Sequence, residues 1–254
     1  YQSTINHKML LLGDIGNTVT KICLINDNLK IVKRVIISSK KFKRRKLNSF
    51  FKHINFNKIK KILFCSVVPK TYKEIKKFIS KKTQTRCYEL KELNLKSFLK
   101  IDVNYKQVGS DRLANAISLV DKRKNFIILD FGTATTFDVL IGNNYKGGII
   151  SPGIELSLKT LSDKASLIPK INLTKISKVI GKDTISAVRS GFFWGYAGLI
   201  DNVINLIKKE TRKSFQIILT GGFSELYKNS IKTKVKQDTN ITINGLIKSS
   251  KLIK

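Results

Sequence analysis

The sequence predicts an α/β fold built from two related domains, and three observations carry that expectation. Apolar strand-like runs alternate with helical stretches. The strand–turn–strand–strand order of the first half returns in the second. In both halves the first strand ends on Asp, followed by a Gly-containing turn and Thr.

Each element can be read in order. Residues 9–13 (MLLLG) form an apolar run that stops at Asp14. A GNT turn leads to 19–26, which alternates, and 31–38 is a third run. Residues 61–68 read as a buried strand ending at Pro69, with a helical stretch over 70–82. In the second half, 126–130 (FIILD) ends in Asp130. The FGT turn leads to 134–141, then GNN, then 145–151. A helical stretch covers 184–209, and 215–220 ends at Gly221-Gly222. The domains are expected at 1–115 and 116–254, with the boundary inside a linking helix between 108 and 124. The run KKFKRRK at 40–46 reads as a solvated loop, with a polyanion site as the alternative.

Hydrophobic residues make up 42% of the 254, enough for a buried core, so the disordered reading fails. The net charge is +32, from 49 Lys+Arg against 17 Asp+Glu. That balance ordinarily points to nucleic acid or an anionic membrane surface. Only 8 of the bases are Arg and 41 are Lys, spread along the whole chain among many Ile and Asn. Base readers and phosphate clamps favour the planar Arg fork. The pattern fits compositional drift of an AT-rich genome better than a selected polyanion surface. Cys23, Cys65 and Cys87 are widely spaced and no CxxC occurs. With His7 and His53 the only histidines, a zinc site is not expected. No apolar run approaches the roughly 18 residues of a membrane span. Residues 1–10 lack a signal-peptide core, and Met9 is a candidate natural start that would make 1–8 an extension. A reducing cytoplasm is the expected setting.

Five motifs could carry chemistry. GDIGNTVTK (13–21) delivers Asp14 to a tight turn, where Gly16 allows close approach or a positive φ. Turn amides and the Thr18 hydroxyl could hold phosphate oxygens, Asp14 could face hydrated Mg²⁺, and Lys21 adds a point charge. LDFGTATT (129–136) offers the same arrangement from Asp130. Each alone could be a plain hairpin; two in register argue for a nucleotide gripped by both domains. GSDR (109–112) sets a carboxylate beside a guanidinium, either as base and anion clamp or as a simple helix cap. TGG (220–222) suits a purine or ribose against the backbone, or a strand-to-helix turn. Gly191, Gly195 and Gly198 share one helix face, for core packing or a dimer interface. GxxxxGK[ST] and GxGxxG are both absent, since Gly181-Lys182 runs into Asp183.

Taken together, these motifs resemble the type III pantothenate kinases along nearly the whole chain. The matching segments are DIGNTVTK (14–21), CSVVP (65–69), VGSDR (108–112), DFGTATT (130–136), GGIISPGI (147–154), IPK (168–170), KDT (182–184), SGFFWGYAGLIDNVI (190–204) and LTGG (219–222). The resemblance implies two ribonuclease-H-like domains of the actin-like ATPase kind, with mixed sheets flanked by helices. It implies a homodimer that phosphorylates pantothenate with ATP, Mg²⁺ and a monovalent cation, K⁺ or NH₄⁺. It makes Asp14, Ile15, Gly16, Asn17, Thr18, Val19, Thr20 and Lys21 the first phosphate-binding segment and Thr133 a further ATP contact. Asp130 becomes a K⁺ ligand and Asp14 a candidate Mg²⁺ ligand. Gly109, Ser110, Asp111 and Arg112 would bind pantothenate, with Asp111 as proton acceptor, and Thr184 would be another pantothenate contact. One position departs. Members often carry a substrate-contacting Tyr seven residues before the first Gly of this motif; here it is Asp102, and Tyr105 is the candidate substitute. A different reading, a non-catalytic relative acting as a transcription accessory or polyanion-binding protein, is favoured by the charge. Retention of Asp14, Asp111, Arg112 and Asp130 opposes it.

Overall fold

The computed structural model describes residues 8–39 and 44–254; of Arg44 only the backbone is described. Its contacts divide it into two compact units. One runs to Val120 and takes back Asn240–Lys254; the other is Asp121–Thr239.

In the first unit, β1 (Met9–Ile15), β2 (Val19–Ile25), β3 (Ile31–Ser38), β4 (Ile59–Ser66) and β5 (Cys87–Glu89) form one sheet in the order β3-β2-β1-β4-β5. β1 pairs antiparallel with β2 and parallel with β4. Central strands covered on both faces need continuous apolar runs, and Leu11, Leu12 and Ile15 of β1 are fully buried. Helices α1 (Arg44–Phe51), α2 (Pro69–Ser80) and α3 (Ser110–Leu119), with a two-residue strand β6 (Lys100–Ile101), complete this part. Of the run expected as a loop at 40–46, residues 40–43 lie outside the described residues and 44–46 open α1. Leu47, Phe50 and Phe51 recur at helical spacing and are buried, so an apolar stripe overrides the basic flank.

In the second unit, β7 (Asn125–Phe131), β8 (Ala134–Ile141), β9 (Asn144–Pro152), β10 (Gln216–Gly221) and β11 (Val235–Gln237) run in the order β9-β8-β7-β10-β11. The senses match too: β7 is antiparallel to β8 and parallel to β10. The duplication expected from the motifs is therefore a duplicated sheet. Helices α4 (Ile154–Lys164), α5 (Thr184–Thr211) and α6 (Ser224–Tyr227) accompany it. The 28 residues of α5 are capped at the start by Asp183, which accepts from the Ser186 amide in a capping box, and at the end by Arg212 with φ 53°. Phe193, Ile200 and Ile204 line its buried face.

The last helix, α7 (Ile241–Ser249), corrects the expected boundary. The sequence places it with the second half, yet it packs in the first unit against α3, β1 and β4. The reason is its own apolar face: Ile241, Ile243 and Leu246 are buried. Asn115 of α3 accepts from the Thr242 hydroxyl at 2.7 Å, satisfying a fully buried amide. Among the described residues no helix is long and apolar enough to cross a membrane.

The α3–α7 crossing is close because residue 245 is glycine. A Cβ there would lie 1.8 Å from the Ala114 carbonyl oxygen. Gly245→Ala should therefore destabilise the fold by about 3 kcal/mol, the upper range of overpacking costs. Chemical denaturation would read this, and an unchanged midpoint would contradict the packing.

Candidate active site

In the first unit, β1 carries Asp14 to the carboxyl end of the sheet. The next turn closes with the Gly16 amide on the Val19 carbonyl at 3.0 Å. Gly16 has no positive φ; what it supplies is room, since a Cβ would sit 3.1 Å from that same oxygen. Asn17 and Thr18 are exposed at the turn. Ile15 and Thr20 point inward, Ile15 into the core and the Thr20 hydroxyl onto Ser39 Oγ at 2.8 Å. Both residues are fully buried within the sheet. Strand register sets Asp14 between Lys21 of β2 and Cys65 of β4. Cys65 Sγ donates to Asp14 Oδ1 at 3.6 Å.

The GSDR segment is fastened to this strand end. The Ser110 hydroxyl accepts from the Ser66 amide at 2.7 Å and donates to the Ser66 carbonyl at 3.1 Å. Ser66 is itself the ladder partner of Ile15. Ser110 is thus buried and committed to backbone, and it positions its neighbour Asp111 in the first turn of α3. The N-cap of α3 is Gly109 and makes no side-chain cap. Neither Ser110 nor Asp111 takes that role; instead Asp111 Oδ1 accepts from the Arg112 amide at 2.8 Å. A Cβ at Gly109 would lie 2.4 Å from Asp111 Oδ1, so any side chain there would displace that carboxylate. Burial raises the Asp111 pKa above its ordinary value, against the opposing pull of the Arg112 amide and guanidinium and of Lys91. The charges of Asp14, Asp111 and Glu89 all reach Cys65, which burial keeps neutral far above the usual thiol range.

Glu89 escaped the sequence reading. Its carboxylate accepts from the Ser66 amide at 3.3 Å and from the Lys91 amide at 2.7 Å. Strand β5 has three residues, too few for periodicity, and the only available signal was the E-x-x-E capping box of Glu89 and Glu92. Tyr105, the candidate substitute for the missing tyrosine, gives its hydroxyl to the Lys91 carbonyl at 3.3 Å. Asp102 pairs with Lys100 at 3.6 Å.

In the second unit the matching turn runs from Asp130, half-buried at the end of β7, to exposed Gly132 and Thr133. The Gly132 amide reaches the Ala134 carbonyl at 3.1 Å. The TGG turn closes on it: the Gly222 amide donates to the Phe131 carbonyl at 3.0 Å. Gly221 adopts φ +83°, and a Cβ there would meet the Phe131 oxygen at 2.5 Å and Asp130 Oδ1 at 2.6 Å. A carboxylate and a carbonyl oxygen therefore share a cradle that only glycine leaves open. TGG is also a strand-to-helix turn, since α6 follows. Thr184 opens α5 on an exposed position directly after the Asp183 cap.

The family model for type III pantothenate kinases matches residues 10–206. A type III pantothenate kinase of Pelagibacter ubique strain HTCC1062 is 63% identical over 248 residues, covering 97% of this chain and 100% of its own. The protein of the same name from Sulfurihydrogenibium sp. strain YO3AOP1 is 37% identical, covering 94% and 98%. Among solved structures, a Baf family protein of Campylobacter jejuni superposes with TM-score 0.63 at 22% identity, covering 95% and 97%. Component A of the Acidaminococcus fermentans (R)-2-hydroxyglutaryl-CoA dehydratase gives 0.54 at 12%, covering 96% of each chain. These two likenesses speak for the fold alone. On the family match and the full-length relatives, the chain belongs to the type III pantothenate kinase family.

Proposed function

We propose that this chain transfers the γ-phosphoryl group of ATP to the primary hydroxyl of pantothenate, the step that opens coenzyme A synthesis, with Asp111 accepting the hydroxyl proton. Family membership supports the reaction. The structural observation that supports the assignment is the setting of Asp111, a half-buried carboxylate in the first turn of α3. Phosphoryl transfer asks mainly for positioning and charge neutralisation. The exposed Asn17–Thr18 turn and Lys21 suit the phosphates on the first unit, and Thr133 suits them on the second. Arg112 suits the carboxylate of the acceptor. Thr184 is assigned as a further acceptor contact. An accessory or polyanion-binding role is not favoured, because relatives matched over nearly their full length are named as kinases. Three free, buried cysteines fit a reducing cytoplasm.

The residues present also fit the two cations. Among the described residues no cluster of three or more ligating side chains occurs. Asp14 would hold Mg²⁺ through one carboxylate, with substrate phosphates completing its shell. The oxygen cradle of Asp130 and Phe131 suits a monovalent cation. When bound, both ions would offset negative charge on the phosphoryl oxygens. Gly191, Gly195 and Gly198 are exposed along α5, with open space where each Cβ would stand. We assign that face to a second copy of the chain.

Asp111→Asn should fold and bind ATP yet lose about 10²–10⁴-fold in kcat, the range for removal of a general base. In the native enzyme only ionised Asp111 accepts a proton. The raised pKa therefore moves the acid limb of the rate profile to higher pH than an ordinary carboxylate gives, with activity falling as pH drops through it. Wild-type kcat in the Asn variant would remove Asp111 from the chemistry. Exchanging K⁺ for Na⁺ should slow the native enzyme strongly, and Asp130→Asn should erase the difference; equal rates of the native enzyme in both salts would dismiss the cation. Light scattering should return about twice the 28.8 kDa chain mass, and a fully active monomer would refute the dimer.

A further inference from the structure

We infer that Cys65 is a positioning residue for the reaction: its thiol donates to Asp14 and holds that carboxylate in one orientation at the end of β1. The inference rests on the reading of Asp14 as a group that serves the bound triphosphate. Three observations carry it. Cys65 and Asp14 are direct partners in the parallel β1–β4 ladder, so their side chains rise from the same face of the sheet. The donor–acceptor distance of 3.6 Å suits sulfur. Cys65 is also fully buried, so its thiol is shielded from oxidants and kept from acting as a nucleophile.

The row explains why a thiol suits this position. Across three adjacent strands the order is Lys21, Asp14, Cys65. Lys21 supplies positive charge on one side. A neutral donor on the other side fixes the carboxylate without adding a second charge. A second carboxylate would repel it, and a plain methyl would remove this donor. Serine keeps a hydroxyl donor on a shorter bond, whereas valine adds bulk and removes the donor.

This separates cleanly by experiment. The dissociation constant for ATP in Mg²⁺ buffer would be measured by calorimetry for native protein, Cys65→Val, Cys65→Ser, Asp14→Asn and the double variant Asp14→Asn/Cys65→Val. Thermal midpoints would be recorded alongside. Cys65→Val should weaken ATP binding about three- to tenfold, the scale of one weak hydrogen bond to a charged group, while Cys65→Ser stays within about twofold of native. The valine penalty should vanish in the Asp14→Asn background, because the thiol then has no carboxylate to hold. Native ATP affinity in Cys65→Val, or the same penalty with and without Asp14, would overturn the inference. Should valine lower the midpoint sharply, Cys65→Ala removes the donor without added bulk and answers the same question. Asp14→Asn binding ATP as tightly as native protein would overturn the reading of Asp14 itself, and the inference with it.

Discussion

The parallel pairing of β1 with β4 is the constraint on which the rest of the first unit's site depends. Its register sets Asp14 beside Cys65 and Ile15 beside Ser66. From Ser66 the backbone then reaches Ser110 through two hydrogen bonds. A one-residue slip would turn Asp14 to the opposite face and detach the start of α3 from the strand end. The core enforces the register, because Leu11, Ile15, Ile62 and Phe64 can be buried together in only one alignment. Packing on the apolar side thus fixes the separation of two carboxylates on the polar side.

The second unit reaches the same end by a different device. Its equivalent strand end is held by close backbone approach, with Gly221 and Gly222 against Asp130 and Phe131. Gly153 adds to this, since a Cβ there would come within 2.2 Å of the Thr133 carbonyl oxygen. The first strand end is thus tied by the Ser110 side chain and its duplicate by close glycine contacts, while each turn closes on a backbone bond. The same sheet order can tolerate both because the strand ends, not the turn chemistry, set the frame.

Much of this was legible in the sequence, for a physical reason. Long buried strands such as β1, β7 and β8 announce themselves as apolar runs, and the Asp-Gly turns stand out where those runs stop. The 28-residue α5 was equally plain from its apolar periodicity. The short elements were not. β5 and β11 have three residues each and owe their existence to the neighbouring strand. Helix α1 was hidden because its stripe of Leu47, Phe50 and Phe51 follows a dense basic run. In the site, Asp111 was found from its motif. The inward turn of Ile15, Thr20 and Ser110 was not, because residue type alone does not tell which face of a turn a side chain takes. Glu89 stands in an E-x-x-E capping signal that speaks only of a helix start, and only the fold brings it to Ser66.

The return of α7 to the first unit has a consequence for how this protein is made. Asp121–Thr239 is in effect an insertion within the first unit, entered and left through two separate chain crossings. The inserted part has a continuous sequence and its own core, so it can condense as soon as it leaves the ribosome. The unit that holds Asp14 and Asp111 cannot finish, because β1, β4 and α3 wait for Ile241–Ser249 to cover them. The half synthesised first is thus the half completed last, and a nascent chain stopped before residue 241 holds both carboxylates on an unfinished scaffold.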